Sequence, residues 1–200
     1  MANIALVIPL GPRDRGSILE HLLALNTEDR GMRFGQSVDD QAIERYVAQL
    51  DFARDAFYGV YQRNAEKETL VACLQLAIDR HAKHGEIGVS VDAAFRRKGI
   101  AGRMLERATL HASNIGLSEV VMYFMPYNSG LIELAKRCGM SLSVGNGEGI
   151  ARLANLRPTP ASVANELAEV WGVAADAVIR DAASGLVEST QNLRRYANAI

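Results

Sequence analysis

The stretch that decides the fold is GEIGVSVDAAFRRKGIAGRMLERATLHA, residues 85–112. Its first part, residues 86–92, carries β-branched side chains at alternate positions, which predicts a strand. In its last part, apolar residues recur every four positions from Ile100 to Ala112, which predicts the buried face of a helix. The stretch is therefore predicted to fold as a strand, a turn and a helix.

The turn between these two elements is basic and contains a glycine. Backbone N–H groups at the start of a helix have no partner inside the helix, so they can bind an anion. Gly99 has no Cβ and tolerates left-handed dihedral angles, which lets the backbone approach that anion. Arg96, Arg97 and Lys98 add Coulomb attraction. The turn is a candidate pyrophosphate site, and a solvated helix cap is the alternative interpretation.

Two motifs carry a resemblance to a known family. Arg96-x-x-Gly99-x-Ala101 resembles the Q/R-x-x-G-x-G/A signature of the GNAT family of N-acetyltransferases, bacterial type. A second segment, in which Asn128 opens a helix that ends at Gly139-Met140, resembles the second signature of that family. The resemblance covers roughly residues 3–156, and its specific motifs lie in residues 85–140.

The resemblance implies that the chain uses acetyl-CoA as a co-substrate. In the family the turn holds the diphosphate, the main chain of the central strand contacts the thioester, and the asparagine bonds the pantetheine arm. Asn is also a favoured helix N-cap, and both roles are compatible. The cofactor-binding residues implied are Val89, Ser90, Val91, Arg96, Arg97, Lys98, Gly99, Ile100, Ala101, Gly102 and Asn128.

Acetyl transfer to an amine needs a path for the amine proton. An alkyl ammonium has a pKa of about 10.4, so neutralising it at pH 7 costs about 4.6 kcal/mol. The resemblance makes Glu86 the first candidate for the general base, because family members often carry a Glu near the start of this strand. Strand alternation puts Glu86 on the face of Gly88 and Ser90. The alternative is that Glu86 is an exposed carboxylate at the end of a strand.

The general acid is left open by the sequence. Family members often carry a Tyr four residues before the glycine of the second motif, and this chain has Ala135 there. Tyr123, Tyr127 and Cys138 lie near in sequence, but spacing assigns the role to none of them, and water could serve. In the family a backbone N–H, splayed by a bulge in the central strand, stabilises the charge on the thioester oxygen.

The predicted fold class is α+β, the GNAT fold, with a mixed central sheet of about six to seven strands flanked by helices. Its domain covers residues 1–156, followed by a C-terminal helical extension, residues 157–200. Residues 26–34 lack periodicity and are predicted to be a loop on the acceptor side, where Glu28, Asp29 or Arg33 could meet substrate. The other predicted elements are a strand over 4–9, a helix capped by Ser17 and Glu20, a helix from Ser37 or Asp39, strands over 56–61, 69–78 and 118–125, a helix from Asn128, and a hairpin of 141–144 and 150–156.

Composition excludes several classes of protein. The net charge of −1 gives no indication of a nucleic-acid binder. The N-terminal apolar run is too short to span a bilayer and lacks a basic region before it, so we predict a cytoplasmic protein without a membrane partner. The two cysteines are expected to be free and mostly buried. The four histidines show no ligand spacing, so they are expected at the surface and no metal is predicted, and no Ser/His/Asp set stands out.

Residues 157–200 are predicted to form a helical extension outside the minimal fold. Val163, Leu167, Val170 and Trp171 give a helical apolar stripe, and residues 174–196 offer one or two more helices. We expect the stripe to pack on its own domain or on the second subunit of a homodimer.

The predicted function is transfer of an acetyl group from acetyl-CoA to the amine of a small molecule or peptide, by direct attack on the thioester. The alternative is a non-catalytic acyl-CoA-binding sensor or interaction module, which the missing Tyr at Ala135 and the helical tail motivate. The acceptor and the acyl-chain preference stay open, because specificity on this fold lies in variable loops.

Overall fold

A computed structural model describes residues 6–63, 68–145 and 147–168. The chain divides into two units, residues 1–158 and 159–200. The elements of the first unit, in chain order, are β1 (Ile8–Leu10), α1 (Arg15–Leu23), α2 (Thr27–Phe34), α3 (Asp40–Ala48), β2 (Ala56–Arg63), β3 (Glu68–Asp79), β4 (His84–Val91), α4 (Ile100–Asn114), β5 (Glu119–Phe124), α5 (Ser129–Arg137), β6 (Ser141–Gly145) and β7 (Glu148–Ala154).

The seven strands form one mixed sheet in the order β1-β2-β3-β4-β5-β7-β6. All neighbouring strands are antiparallel except β4 and β5, which run parallel. The β4–β5 pairing covers only residues 84–86 opposite residues 119–121. Beyond that point the two strands separate, although β4 stays paired with β3 through Val91 and β5 stays paired with β7 through Phe124. The centre of the sheet therefore contains a wedge-shaped opening.

Buried apolar side chains form two clusters, one on each face of the sheet. Helices α4 and α5 contribute to the first cluster, in which the predicted stripe of α4 (Ile100, Met104, Ala108 and Ala112) is buried. Helices α1 and α3 contribute to the second cluster, through residues such as Ile18 and Ile43. Because successive side chains of a strand point to opposite faces, alternate residues of β2 enter different clusters, with Phe57 in the second and Tyr58 in the first.

The second unit is described for residues 159–168, of which residues 160–168 are helical. Thr159 and Ser162 stabilise the start of this helix reciprocally. The Ser162 amide donates to Thr159 Oγ1 at 3.0 Å, and the Thr159 amide donates to Ser162 Oγ at 2.9 Å. Val170, Trp171 and residues 174–196, which were also predicted to be helical, lie outside the described residues.

The mixed seven-stranded sheet confirms the predicted α+β fold, and the hairpin of β6 and β7 confirms the prediction of a final hairpin. The predicted loop over residues 26–34 is wrong, because Asn26 caps a helix there by accepting from the Asp29 amide at 2.8 Å. The predicted cap at Ser17 is also wrong. Helix α1 begins at Arg15, after a 3-10 turn in which Asp14 accepts from the Gly11 amide at 2.8 Å. The first strand covers Ile8–Leu10, and the start of the predicted one lies outside the described residues.

Candidate active site

The opening between β4 and β5 leads into a cavity of about 250 Å³. Helix α2 forms one wall with Met32, Arg33 and Phe34, and the separated parts of β4 and β5 form the other walls. The remaining lining residues are Gly35, Glu86, Ile87, Gly88, Val89, Tyr123, Phe124, Met125, Leu131 and Glu148. The cavity thus combines an apolar surface with one arginine, two carboxylates and a phenol.

Three side chains hold the closed end of the opening together. His84 on β4 and Glu119 on β5 are register partners, and His84 Nδ1 lies 3.0 Å from Glu119 Oε1. Arg152 on β7 donates to the other oxygen of Glu119. The hydrogen bond to His84, followed by that to Arg152, lowers the pKa of Glu119 below its ordinary value. This carboxylate is therefore charged at neutral pH and links three neighbouring strands where β4 and β5 are still paired.

The predicted pyrophosphate turn connects β4 to α4. Gly99 precedes the helix with a φ of 76°, and Arg97 also has a positive φ, 59°. The first backbone bond of α4 runs from the Arg103 amide to the Gly99 carbonyl, at 3.2 Å. Within the described residues, the amides from Arg97 to Gly102 have no hydrogen-bond acceptor. These free donors at a helix N-terminus are suited to an anion such as a diphosphate.

The three cations of the turn do not have the same surroundings. Arg96 Nη2 lies 2.6 Å from Asp29 Oδ1, and Arg96 Nε donates to the Val91 carbonyl at 3.0 Å. Arg97 and Lys98 are exposed, with Lys98 Nζ 4.8 Å from the centre of the Phe95 ring. The charge of Arg96 is therefore paired with α2, whereas Arg97 and Lys98 are open to solvent.

The other residues of the predicted binding segment are divided between the core and the cleft. Val89 lines the cavity, Ile100 is buried beneath the turn, and Ala101 is half-buried. Gly102 lies at the contact between α4 and α5, because a Cβ on it would be 3.9 Å from Leu134. Asn128 Oδ1 accepts from the Leu131 amide at 3.0 Å, so this side chain caps α5.

Glu86 lies on the predicted face of β4, is exposed and lines the cavity. Within the described residues its carboxylate makes no hydrogen bond or ion pair. Tyr123 lines the same cavity from β5 and is 48% exposed, whereas Ala135 is completely buried in the core. Position 135 is therefore not part of the cavity lining, and Tyr123 is the tyrosine that lines the same cavity as Glu86.

The predicted bulge in the central strand is absent. The register between β3 and β4 is continuous from His84 to Val91, and the one shift in the neighbouring ladder falls between Val60 and Tyr61 of β2. The separation of β4 from β5 is enough to leave one edge of residues 87–91 without a strand partner. Main-chain groups on that edge are the donors available to a thioester oxygen.

The expectation that His21 lies at the surface is wrong, and the fold brings His21 together with Ser90 and Asp92, a set that does not stand out in the sequence. His21 is 3% exposed, with Nε2 2.8 Å from Ser90 Oγ and Nδ1 3.2 Å from Asp92 Oδ1. Nδ1 also lies 3.1 Å from the Leu70 carbonyl. Ser90 is buried and is not part of the cavity lining, so these contacts fasten α1 to β4 beside the cleft.

Neither cysteine is among the residues that line the cavity. Both cysteines are free, and Cys73 is buried while Cys138 is half-buried. Burial raises the pKa of Cys73 to about 12, although the charge of Arg33 opposes the shift. Burial also raises the pKa of Cys138. Among the described residues, no group of three His, Cys, Asp or Glu side chains is placed to hold a metal ion, and no helix is long and apolar enough to cross a membrane.

The sequence of residues 19–140 matches the model of the Acetyltransferase (GNAT) family. The chain belongs to this family. It is therefore a GNAT N-acetyltransferase, and members of the family use acetyl-CoA or CoA. The matched segment contains the second half of α1, all of α2 to α5 and all of β2 to β5, and hence every residue that lines the cavity except Glu148.

Solved structures share the GNAT fold at low sequence identity. The GNAT domain of S. lividans PAT has a TM-score of 0.61 and 16% identity, covering 74% of this chain and 89% of its own. Spermidine N-acetyltransferase from Vibrio cholerae, solved with CoA and spermine, has a TM-score of 0.56 and 16% identity over 74% and 94%. Ribosomal-protein-S5-alanine acetyltransferase from Vibrio fischeri has a TM-score of 0.55 and 14% identity over 77% and 94%.

The sequence names Arg33 and Tyr123 as candidates without assigning their roles, and it gives no indication of Glu148. Arg33, Tyr123 and Glu148 come from three different elements and meet only in the folded chain. The two ends of helix α2, which carries Arg33, are nevertheless indicated by the sequence. Asn26 is a favoured N-cap, and Gly35 follows the helix with a φ of 72°.

Proposed function

We propose that this GNAT protein transfers an acetyl group from acetyl-CoA to the amine of a small molecule or peptide by direct attack of the amine on the thioester. The observation that carries this proposal is the cavity, in which an unpaired carboxylate (Glu86) and a phenol (Tyr123) meet beside the free edge of β4. The acceptor amine enters at Glu86, and the thioester lies along residues 89–91. The diphosphate binds the free amides of residues 97–102.

The proposed groups account for each bond and each proton of the transfer. The amine nitrogen forms a bond to the thioester carbon, and the bond from that carbon to sulfur breaks. Glu86 takes the proton that the amine loses, either directly or through a water molecule. The CoA thiolate gains a proton from Tyr123 or from solvent. Asn128 caps α5 with its Oδ1 and has its amide nitrogen available for the pantetheine arm.

The test is a thiol-release assay with acetyl-CoA and a panel of amines, on the wild-type chain, Glu86→Gln and Glu148→Gln. Because a positioned base contributes about 10²–10⁴-fold, we expect kcat/KM of Glu86→Gln to fall by at least about 100-fold near pH 7. The loss should shrink at higher pH, where the amine deprotonates without help. Glu148→Gln is the matched control, because it neutralises the other carboxylate of the cavity.

Calorimetric titration with acetyl-CoA separates binding from turnover. If Glu86→Gln keeps its affinity for acetyl-CoA and loses turnover, Glu86 acts in the chemical step. Activity of Glu86→Gln within threefold of wild type would remove Glu86 from the mechanism. Binding of acetyl-CoA without transfer to any amine would favour the interpretation of the protein as a sensor.

A further inference from the structure

Arg33 is the cation in the wall of the cavity, and Gly88 makes room for it. A Cβ built on Gly88 would lie 2.6 Å from Arg33 Cζ and Nη1 and 2.7 Å from Nη2. The guanidinium therefore lies directly on the backbone of β4, in space that any other residue at position 88 would occupy. It faces the part of β4 that contains Glu86, on the side where the strand has separated from β5.

The charge of Arg33 is not neutralised by the protein. No carboxylate of the described residues lies within 4.0 Å of its guanidinium, and its Nε is buried without a hydrogen-bond acceptor. Its neighbours are aromatic, with the Phe34 and Tyr46 ring centres 5.0 and 5.6 Å from Cζ. The residue as a whole is half-buried, and an arginine stays protonated at any physiological pH. An anionic ligand is therefore the partner that this charge favours.

A chain of hydrogen bonds fixes the guanidinium in this position. Arg33 Nη2 donates to the Tyr46 hydroxyl at 2.8 Å, and that hydroxyl donates to Gln75 Oε1. Gln75 Nε2 in turn donates to Asp55 Oδ2 at 3.0 Å. The charge of Asp55 is matched by Arg54, which contacts both carboxylate oxygens, so it does not compensate Arg33. The cation is held in place before a ligand arrives, which lowers the entropy cost of binding.

Glu86 and Arg33 divide the cavity into two subsites. Glu86 is two residues from Gly88 on the same face of β4, and two residues of a strand span about 7 Å. The two side chains do not form an ion pair with each other, so both charges are available to a ligand. An acceptor that fits both has an amine at Glu86 and an anionic group a few bonds away at Arg33.

We propose that the acceptor is a free amino acid and that Arg33 binds its carboxylate while Glu86 receives the proton of its amine. This inference rests on the proposed function and names the class of acceptor for the same site. Arg33 is then the specificity-determining residue of the cleft. A polyamine places a second cation at Arg33, which the uncompensated guanidinium repels.

The experiment compares matched acceptors that differ only in the carboxylate. Each amino acid is assayed with acetyl-CoA beside its amide and its decarboxylated amine, and spermidine is included as a polycation. For wild type we expect kcat/KM to favour the amino acid by at least tenfold, through a lower KM. In Arg33→Gln that ratio falls towards one, and in the exposed control Arg45→Gln it is unchanged.

A second variant tests the position of the Arg33 guanidinium on β4 without removing the guanidinium. Gly88→Ala forces the flexible end of Arg33 away from β4, so the preference for the carboxylate falls although the charge is still present. Thermal unfolding and titration with acetyl-CoA check that each variant is folded. Arg33→Lys, which keeps the charge but loses the planar fork, is expected to retain part of the preference.

The inference is overturned if wild type acetylates the amide or the decarboxylated amine as well as the amino acid, or if Arg33→Gln keeps the wild-type ratio. If the proposed function itself is wrong, the assay gives a different result, because no acceptor is then acetylated. In that case calorimetric titration of amino acid against amide, with CoA bound, still tests the carboxylate subsite. Equal affinities for the two ligands would reject it.

Discussion

Gly99 shows how one residue sets the shape of the turn between β4 and α4. Its φ of 76° lies in the left-handed region, and a Cβ built on it would meet nothing within 4 Å. The free-energy cost of replacing Gly99 with alanine therefore comes from backbone strain and not from a steric clash. For a residue with a Cβ, the left-handed conformation costs about 1–2 kcal/mol.

We predict that Gly99→Ala lowers the affinity for acetyl-CoA by about tenfold, which corresponds to about 1.4 kcal/mol. The reason is that the alanine variant must either adopt the costly left-handed backbone or move the free amides out of place. Calorimetric titration gives the affinity, and chemical unfolding gives the change in stability.

Gly16→Ala is the matched control for this substitution. Gly16 lies in α1 and has no positive φ, and a Cβ added to it would also have no neighbour within 4 Å. Alanine is a better helix former than glycine, so stability should rise or stay the same and acetyl-CoA binding should not change. Equal affinities of Gly99→Ala and wild type would show that the turn binds no diphosphate.

At the scale of elements, α2 connects the two halves of the site. Its first turn carries Asp29, which pairs with Arg96 of the turn before α4, and its last turn carries Arg33, which lies on Gly88 of the cavity. The side chain of Asp29 is only 11% exposed, so solvent screens this ion pair less than a surface one. The helix buries no residue fully and therefore depends on such contacts for its position.

We predict that Asp29→Asn loosens α2. Loss of an ion pair worth about 1 kcal/mol should speed amide hydrogen exchange in residues 30–34 about fivefold, because local opening becomes less costly. Hydrogen exchange measured by mass spectrometry on the whole chain would resolve this segment.

Glu28→Gln provides the comparison for Asp29→Asn. Glu28 is adjacent on the same helix and exposed, and it forms no hydrogen bond or ion pair within the described part of the chain. Neutralising it should leave exchange in residues 30–34 at the wild-type rate. If both variants exchange alike, the contact with Arg96 does not hold α2 in place.

The elements that the sequence predicted correctly are those with an apolar period. Helix α4 and strand β4 have one, and both formed where they were expected. Helix α2 has no buried stripe, so a prediction based on periodicity missed it, although its N-cap and the glycine after it were visible.

The two halves of the site also differ in whether a sequence motif can point to them. The turn between β4 and α4 is contiguous in sequence, so a motif could point to it. The contacts of Arg33 with Gly88 and of His21 with Ser90 join distant segments, the latter 69 residues apart. A single sequence contains no distance information of this kind, so these contacts required the folded chain.

At the scale of the whole molecule, a buried carboxylate couples folding to pH. Burial tends to raise the pKa of Asp55, but hydrogen bonds from Arg54, the Ile78 amide and Gln75 outweigh it and lower the pKa below the ordinary value of 3.8. The unfolded chain therefore binds a proton at a higher pH than the folded chain. The stabilisation is present above about pH 4 and is lost as the pH falls through the lower, folded pKa.

We predict that Asp55→Asn reduces the free energy of unfolding at pH 7 by about 1.5–3 kcal/mol, the range for hydrogen bonds to charged groups. The difference from wild type should shrink below pH 4, because wild-type Asp55 then becomes protonated as well. Urea unfolding at a series of pH values measures both effects.

Glu44→Gln serves as the control, since Glu44 is exposed on α3 and makes no contact with a charged group among the described residues. Its stability should follow wild type at every pH. A constant difference between Asp55→Asn and wild type from pH 7 to pH 2.5 would show that ionisation of Asp55 does not contribute to the pH dependence.

Because the pairing of β4 with β5 ends after residue 86, this sheet has four free borders, that is, strand edges without a partner strand. An ordinary open sheet has two. Exposed borders invite strands of other proteins and lead to aggregation. Here the two inner borders face a recess that Met32, Phe34 and Leu131 enclose, so a foreign strand meets side chains before it meets the backbone. These side chains make the inner borders a poor template for edge-to-edge pairing with another molecule, although the backbone there has no strand partner.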